Sequence, residues 1–245
     1  MAVIKMNLQS RALHIHTNVN IILPINTNND RDHRFYKNYG PDVKYPTLWL
    51  LHGGGGDADD FILFSNIVRY AEMHGLAVVM PSGYNVFYKD QYYEFVTEEL
   101  PAVLQNTMSL SSAREDNFIG GLSIGGDAAL RACLEHPDRY AAGLIMSAAG
   151  TDHHGDNPGL RFDVYGLAEK ALASGGAVPE LIFATGSGDR GMPYYLPIID
   201  KLDAMGMPVK RHYVENEGHS WDFWDNTVKM AIETMLPIKC EMVAE

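Results

Sequence analysis

The segment that most narrows the folds open to this chain is 117–137. It begins as a buried strand (Asn117-Phe118-Ile119-Gly120), turns through Gly121-Leu122-Ser123-Ile124-Gly125, and continues at 128–134 as a helix-forming run of small and apolar residues. That helix has to stop at His136, because a residue before proline is pushed out of the helical region. A G-x-S-x-G pattern between a strand and a helix marks a sharp turn that lifts a serine hydroxyl above a sheet. The serine sits in a strained backbone conformation there, so the residues two before and two after it must not carry a Cβ. Any glycine-rich chain can produce the pattern by chance; the strand before it and the helix after it give it weight.

The rest of the chain extends the same unit. Partial alternation at 10–24 (Leu13, Ile15, Thr17, Val19, Ile21) predicts an edge strand or hairpin. Residues 26–45 read as a loop. The apolar run 46–51 suits a strand buried on both faces, and it ends in His52-Gly53-Gly54-Gly55-Gly56. A helix is expected around 59–73, and a strand at 76–80 stopped by Pro81-Ser82-Gly83. An aromatic, irregular stretch follows at 84–93, then a helix at 94–106 that Pro101 would kink. Further strands are expected at 142–148, 181–185 and 209–215, and helices at 193–206 and 220–236. The Gly/Asp/His/Asn loop 149–164 reads as a small lid. Strands alternating with helices predict an α/β fold, a mostly parallel sheet with helices on both faces, spanning 1–245 as one domain. Ligands bind such sheets at the carboxyl ends of the strands. Gly53, Ser123, Asp189 and His219 each follow a predicted strand and so share one rim.

A serine hydroxyl is a weak nucleophile until a base takes its proton and a third group orients that base. After a nucleophile elbow the chain order is serine, acid, histidine. His219, in Gly218-His219-Ser220-Trp221, is the candidate base, on a glycine-flanked loop between the last strand and last helix. His212 falls inside a strand, His136 behind the elbow, and His153 and His154 ahead of the acid. Asp189, in Gly186-Ser187-Gly188-Asp189-Arg190, is the candidate acid, with Asp163 and Asp200 as fallbacks. Acyl transfer needs backbone donors waiting for a developing oxyanion. The N–H of Ile124, at a helix start, is one; the second is expected from the glycine turn, at Gly53 or Gly54. A phosphate loop is the competing reading of those glycines, disfavoured by the absence of Lys-Ser/Thr and by Asp57, Asp59 and Asp60. His52 has a structural task, hydrogen-bonding nearby loop backbone. Phe87, Tyr88 and Trp221 are candidates for lining a substrate pocket, with core packing as the alternative for each. Asp127 reads either as a first-turn helix charge or as a polar group near the pocket floor.

A net charge of −12 disfavours nucleic acid and anionic membrane surfaces as partners. No run approaches the ~18 apolar residues of a membrane-spanning helix, and Lys5 and Asn7 interrupt any leader-like core, so a cytoplasmic protein is expected. The two cysteines, Cys133 and Cys240, form neither a disulfide framework nor a zinc set, and His153-His154 lacks ligand spacing. No metal and no cofactor is called for.

These segments resemble the α/β-hydrolase esterases of the esterase D type, which include S-formylglutathione hydrolases, tributyrin esterases, and acetyl-xylan and feruloyl esterases. The likeness runs from about 45 to 236. Leu51-His52-Gly53-Gly54-Gly55-Gly56-Asp57 is similar to the family's oxyanion turn, Gly121-Leu122-Ser123-Ile124-Gly125-Gly126 to its elbow, Thr185-Gly186-Ser187-Gly188-Asp189 to its acid segment, and Gly218-His219-Ser220-Trp221-Asp222-Phe223-Trp224 to its histidine segment. Asp127 departs from the aromatic residue frequent at that position. The resemblance implies a serine carboxylesterase acting on short acyl esters, acetyl or aromatic acyl esters of sugars among them. It implies a small-molecule substrate and, from the tributyrin-esterase branch, a homo-oligomer. Two alternatives stand beside it: an S-formylglutathione thioesterase, and a non-catalytic binding protein on the same scaffold.

Overall fold

The structure is a computed structural model that describes residues 1–25, 34–36, 43–83, 90–148, 162–239 and 242–244. Four strands with every residue buried, β4 (Thr47–Leu51), β5 (Ala77–Pro81), β6 (Asn117–Leu122) and β7 (Ala142–Met146), make the centre of the sheet. Runs of this kind fit strands covered on both faces. β8 (Glu180–Gly186) and β9 (Val209–Val214) extend it on one side. The hairpin β1 (Ala2–Gln9) and β2 (His16–Leu23) closes the other. Among the described residues the order is β1-β2-β5-β4-β6-β7-β8-β9, with β1 and β2 antiparallel and all pairs from β5 to β9 parallel. The predicted edge hairpin is therefore present, but its first strand is 2–9. Burial alternates residue by residue along that strand, a period-2 signal that lies upstream of the stretch read from sequence.

Side chains alternate across the sheet and feed two cores. Trp49, Leu51, Ile119 and Phe183 pack on one face beneath α3 (Asp90–Glu94), α4 (Leu100–Thr107), α5 (Ile124–Glu135), α6 (Val164–Ala173) and α7 (Met192–Ala204). Leu48, Leu50, Phe118 and Ile182 pack on the other, beneath α1 (Asp60–Phe64), α2 (Ile67–Met73) and α8 (Trp221–Met230).

Three helices differ from expectation, for local reasons. The single helix predicted at 59–73 is broken at Ser65-Asn66. Ser65 Oγ donates to the Phe61 carbonyl and accepts from the Ile67 N–H at 3.2 Å, while the Asn66 N–H donates to Asp225 at 2.8 Å. These bonds replace the helical ladder at that point. The helix predicted at 94–106 starts earlier, and the irregularity expected at Pro101 appears as a π turn, Phe95–Glu99, just before α4. Proline has no N–H to give the Thr97 carbonyl; the Arg139 guanidinium donates to it instead at 2.8 Å. The last helix also ends in a π turn, Ala231–Met235. Helix α6 and the two-stranded pair β3 (Arg34–Tyr36) and β10 (Met242–Ala244) were not anticipated. Most of the loop predicted at 149–164, including His153 and His154, lies outside the described residues; Asp163 lies within them and caps α6, accepting from the Gly166 N–H.

Candidate active site

Parallel strands bring their carboxyl ends to one rim, and the predicted residues meet there. Ser123 follows β6 with φ 53° and ψ −122°, a left-handed backbone that side-chain-bearing residues seldom adopt. Its N–H donates to the Met146 carbonyl at the end of β7 (2.9 Å), and its carbonyl starts α5 by accepting from Gly126 and Asp127. A Cβ on Gly121 would stand 2.5 Å from the Gly125 carbonyl group, and one on Gly125 would stand 2.5 Å from the carbonyl oxygens of Leu51 and His52. Both elbow glycines are thus required by close backbone approach as well as by the turn. Ile124 is the first residue of α5, where backbone N–H groups have no partner within the helix.

The acid and histidine loops are zipped together. Ser187 N–H donates to Val214 O (3.0 Å), Gly188 N–H to Glu217 O (2.8 Å), and Asn216 N–H to Ser187 Oγ (2.8 Å). This holds Asp189 Oδ2 3.0 Å from His219 Nδ1. Asp189 is 5% exposed. Burial alone would raise its carboxyl pKa. Hydrogen bonds from His219, the Gly191 N–H and Ser147 outweigh that and hold it below the ordinary carboxylate range. With Nδ1 bonded to the acid, Nε2 is the nitrogen left for a serine proton.

Ser123, Asp189 and His219 line one cavity of about 600 Å³ with Ser147, Gly191 and Tyr194. Ser147 and Tyr194 were not singled out from the sequence. Ser147 had a usable signal, since it ends a predicted strand and so falls on the same rim. The competing residues go elsewhere. His212 lies in β9 stacked on Phe223, and Asp200 is ion-paired with Arg211 at 3.0 Å. His136 caps α5 beside Glu98. Tyr92 and Tyr93 belong to the core, and Phe87 and Tyr88 lie outside the described residues. Trp221 is not among the cavity's lining residues; its ring packs 5.2 Å from those of Phe61 and Phe64 and 5.3 Å from that of Trp224. Asp127 is fully buried and accepts from the Tyr195 hydroxyl at 3.2 Å. It sits in the first turn of α5 and, like Trp221, does not line the cavity.

The glycine turn after β4 lies against the elbow: a Cβ on Gly53 would be 3.5 Å from Ser123 Cβ. His52 organises this turn. Its buried ring accepts from the Gly83 N–H at Nε2 (2.6 Å), so the Nδ1 proton donates to the Gly53 carbonyl at 2.7 Å. Burial lowers its pKa and keeps it neutral, as this pair of bonds requires. The Gly53 carbonyl also accepts from the Gly56 N–H at 3.3 Å. Among the described residues no group of three or more His, Cys, Asp and Glu side chains is arranged to hold a metal, and no helix is long and apolar enough to cross a membrane.

Comparison with known proteins places the chain in a family. The family model described as "Putative esterase" matches residues 25–156, more than half of the chain. An acetyl esterase of Caldicellulosiruptor saccharolyticus is 30% identical over an alignment covering 96% of this chain and 98% of that protein. The substrate-bound structure of FphF, a fluorophosphonate-binding serine hydrolase of Staphylococcus aureus, superimposes with a TM-score of 0.82 at 28% identity, covering 96% of this chain and 98% of that one. The S-formylglutathione hydrolase FrmB of the same organism gives 0.81 at 27% identity, with the same coverage. The fold is that of the α/β-hydrolases, as the sequence resemblance implied.

Proposed function

The chain belongs to this esterase family and is a serine carboxylic ester hydrolase, and from that premise we propose that Ser123, His219 and Asp189 carry the reaction. Ser123 Oγ attacks the ester carbonyl. His219 Nε2 takes its proton and returns it to the departing alkoxide, while Asp189 fixes the imidazole tautomer through Nδ1. The Ile124 N–H and an N–H of Gly53 or Gly54 stabilise the oxyanion. A water activated by the same imidazole then releases the acyl group and restores the serine. The observation that carries this reading is the 3.0 Å bond from His219 to a buried acid in a cavity lined also by the strained Ser123.

The substrate in this reading is a small ester with a short acyl chain, an acetyl or aromatic acyl ester of a sugar among the candidates. The acetyl esterase relative supports it. The likeness to FrmB supports the second reading, hydrolysis of S-formylglutathione. Rates on p-nitrophenyl acetate to octanoate, acetylated and feruloylated sugars and S-formylglutathione separate the two. Ser123→Ala is expected to abolish turnover and labelling by a fluorophosphonate; unimpaired turnover would overturn the assignment. The proposal treats 1–245 as one hydrolase domain, takes the protein as cytoplasmic from the Lys5 and Asn7 interruptions near its start, and takes it as a homo-oligomer from the tributyrin-esterase likeness. Light scattering and cell fractionation test those two points.

A further inference from the structure

Ser147 is a polar residue that the triad does not use, in a conformation that needs a reason. It follows β7, is 2% exposed, and has φ 44°, outside the region favoured by residues with a Cβ. Its N–H donates to the Ala184 carbonyl of β8 at 2.8 Å, which locks the backbone in that state. The conformation aims the side chain between two others. The Trp224 indole N–H donates to Ser147 Oγ at 3.1 Å. An indole nitrogen is a donor only, so this bond takes a lone pair of Oγ and leaves the hydroxyl proton to be given away. Ser147 and Asp189 line the same cavity, and the Ser147 side chain is among the groups that hold the Asp189 carboxyl below its ordinary range. The Trp224 ring also meets the His219 imidazole edge to face, with centroids 4.9 Å apart and planes at 85°. One tryptophan therefore touches both the histidine and Ser147.

We infer that Ser147 and Trp224 are positioning residues of the catalytic site, forming a donor chain from the Trp224 indole N–H through the Ser147 hydroxyl to Asp189. The chain fixes which carboxylate oxygen faces His219. It also balances the anion. Asp189 is faced by His219 from the loop after β9, by Ser147 from the end of β7, and by the Gly191 N–H from its own loop, with Arg190 adjacent in sequence. Removing the Ser147 donor leaves more of the negative charge to act on the imidazole, which favours imidazolium and impedes the base form.

This inference rests on the triad reading above, and Ser123→Ala, run alongside, keeps the two apart. If Ser123→Ala still turns over, the triad reading has failed. If Ser123→Ala is inert but the Ser147 variants act as wild type, only the donor chain has failed. For Ser147→Ala, kcat on p-nitrophenyl acetate is expected to fall about tenfold, the scale of one hydrogen bond to a charged group, with KM little changed. The acid limb of the kcat profile is expected to move to higher pH. Ser147→Gly removes the same hydroxyl and relieves the backbone. Equal loss in both variants supports the role of the hydroxyl; recovery of kcat in Ser147→Gly would show that the backbone alone matters and overturn the inference. Trp224→Phe keeps a ring against His219 and deletes the N–H. Its effect should vanish in a Ser147→Ala background, since both changes cut one chain. Independent, multiplicative losses would overturn the link through Ser147. Circular dichroism and melting curves on each variant identify any loss caused by misfolding.

Discussion

Ser123 offers a test that separates the elbow's architecture from its chemistry. A residue with a Cβ held at φ 53°, ψ −122° carries strain on the order of 1–3 kcal/mol. Ser123→Ala deletes the hydroxyl but keeps the Cβ, so the strain stays. Ser123→Gly deletes both. Against the relief stands the entropy of glycine in the unfolded chain, about 0.5–1 kcal/mol relative to alanine. The net expectation is that Ser123→Gly is more stable than Ser123→Ala by roughly 0–2.5 kcal/mol, the strain less the entropy. For a chain of 245 residues this corresponds to a melting temperature higher by up to about 10 °C, at roughly 2–4 °C per kcal/mol. The assay is scanning calorimetry of the two inactive variants under one buffer, with urea midpoints as a second probe. A glycine variant that melts below the alanine variant would refute the argument, because it would mean that the Cβ is accommodated without strain.

Other consequences follow from the same geometry. Gly125→Ala drives a Cβ to 2.5 Å from two backbone carbonyl oxygens, which cannot swing aside as a side chain would. A loss of about 1–3 kcal/mol in urea unfolding is expected, together with reduced turnover as the glycine turn is displaced. His52 is depressed below its unfolded value of 6.5. Below pH 6.5 the unfolded chain therefore binds more protons than the folded one, so this contribution to stability is complete above pH 6.5 and is lost as pH falls through that value. Urea unfolding at pH 7.5 and 5.5 should show a smaller acid loss in His52→Gln than in wild type; identical losses would contradict the buried neutral ring. Asp189→Asn would present an amide to His219 Nδ1 and favour the wrong tautomer, lowering kcat by about 10³- to 10⁴-fold. Retention of most activity would point to another acid.

Much of this site was legible in the sequence because its parts are local. The elbow is fixed by glycines two residues either side of Ser123, the strand before it is an unbroken buried run, and the order serine, acid, histidine limits the search. Wholly buried parallel strands such as β4–β7 have the clearest pattern a sheet can leave. The misreadings arose where a distant residue intervenes. Asn66 gives its N–H to Asp225, and the helix predicted through 59–73 splits there. Arg139 satisfies the Thr97 carbonyl, so Pro101 is accommodated in the first turn of α4, just after a π turn.

Sequence by itself determined that this chain builds a parallel sheet with a serine raised on a turn at its rim, because periodicity, glycine spacing and chain order are properties of short segments. Only the tertiary structure decided which groups surround Asp189. That Trp224, on the last helix, donates to Ser147 at the end of β7, and that Ser147 in turn faces an acid from the loop after β8, depends on three elements far apart in the chain. A contact of that kind leaves no periodic trace in the residues that make it. It exists because the sheet brings the strand ends to one rim and the helix packs across them.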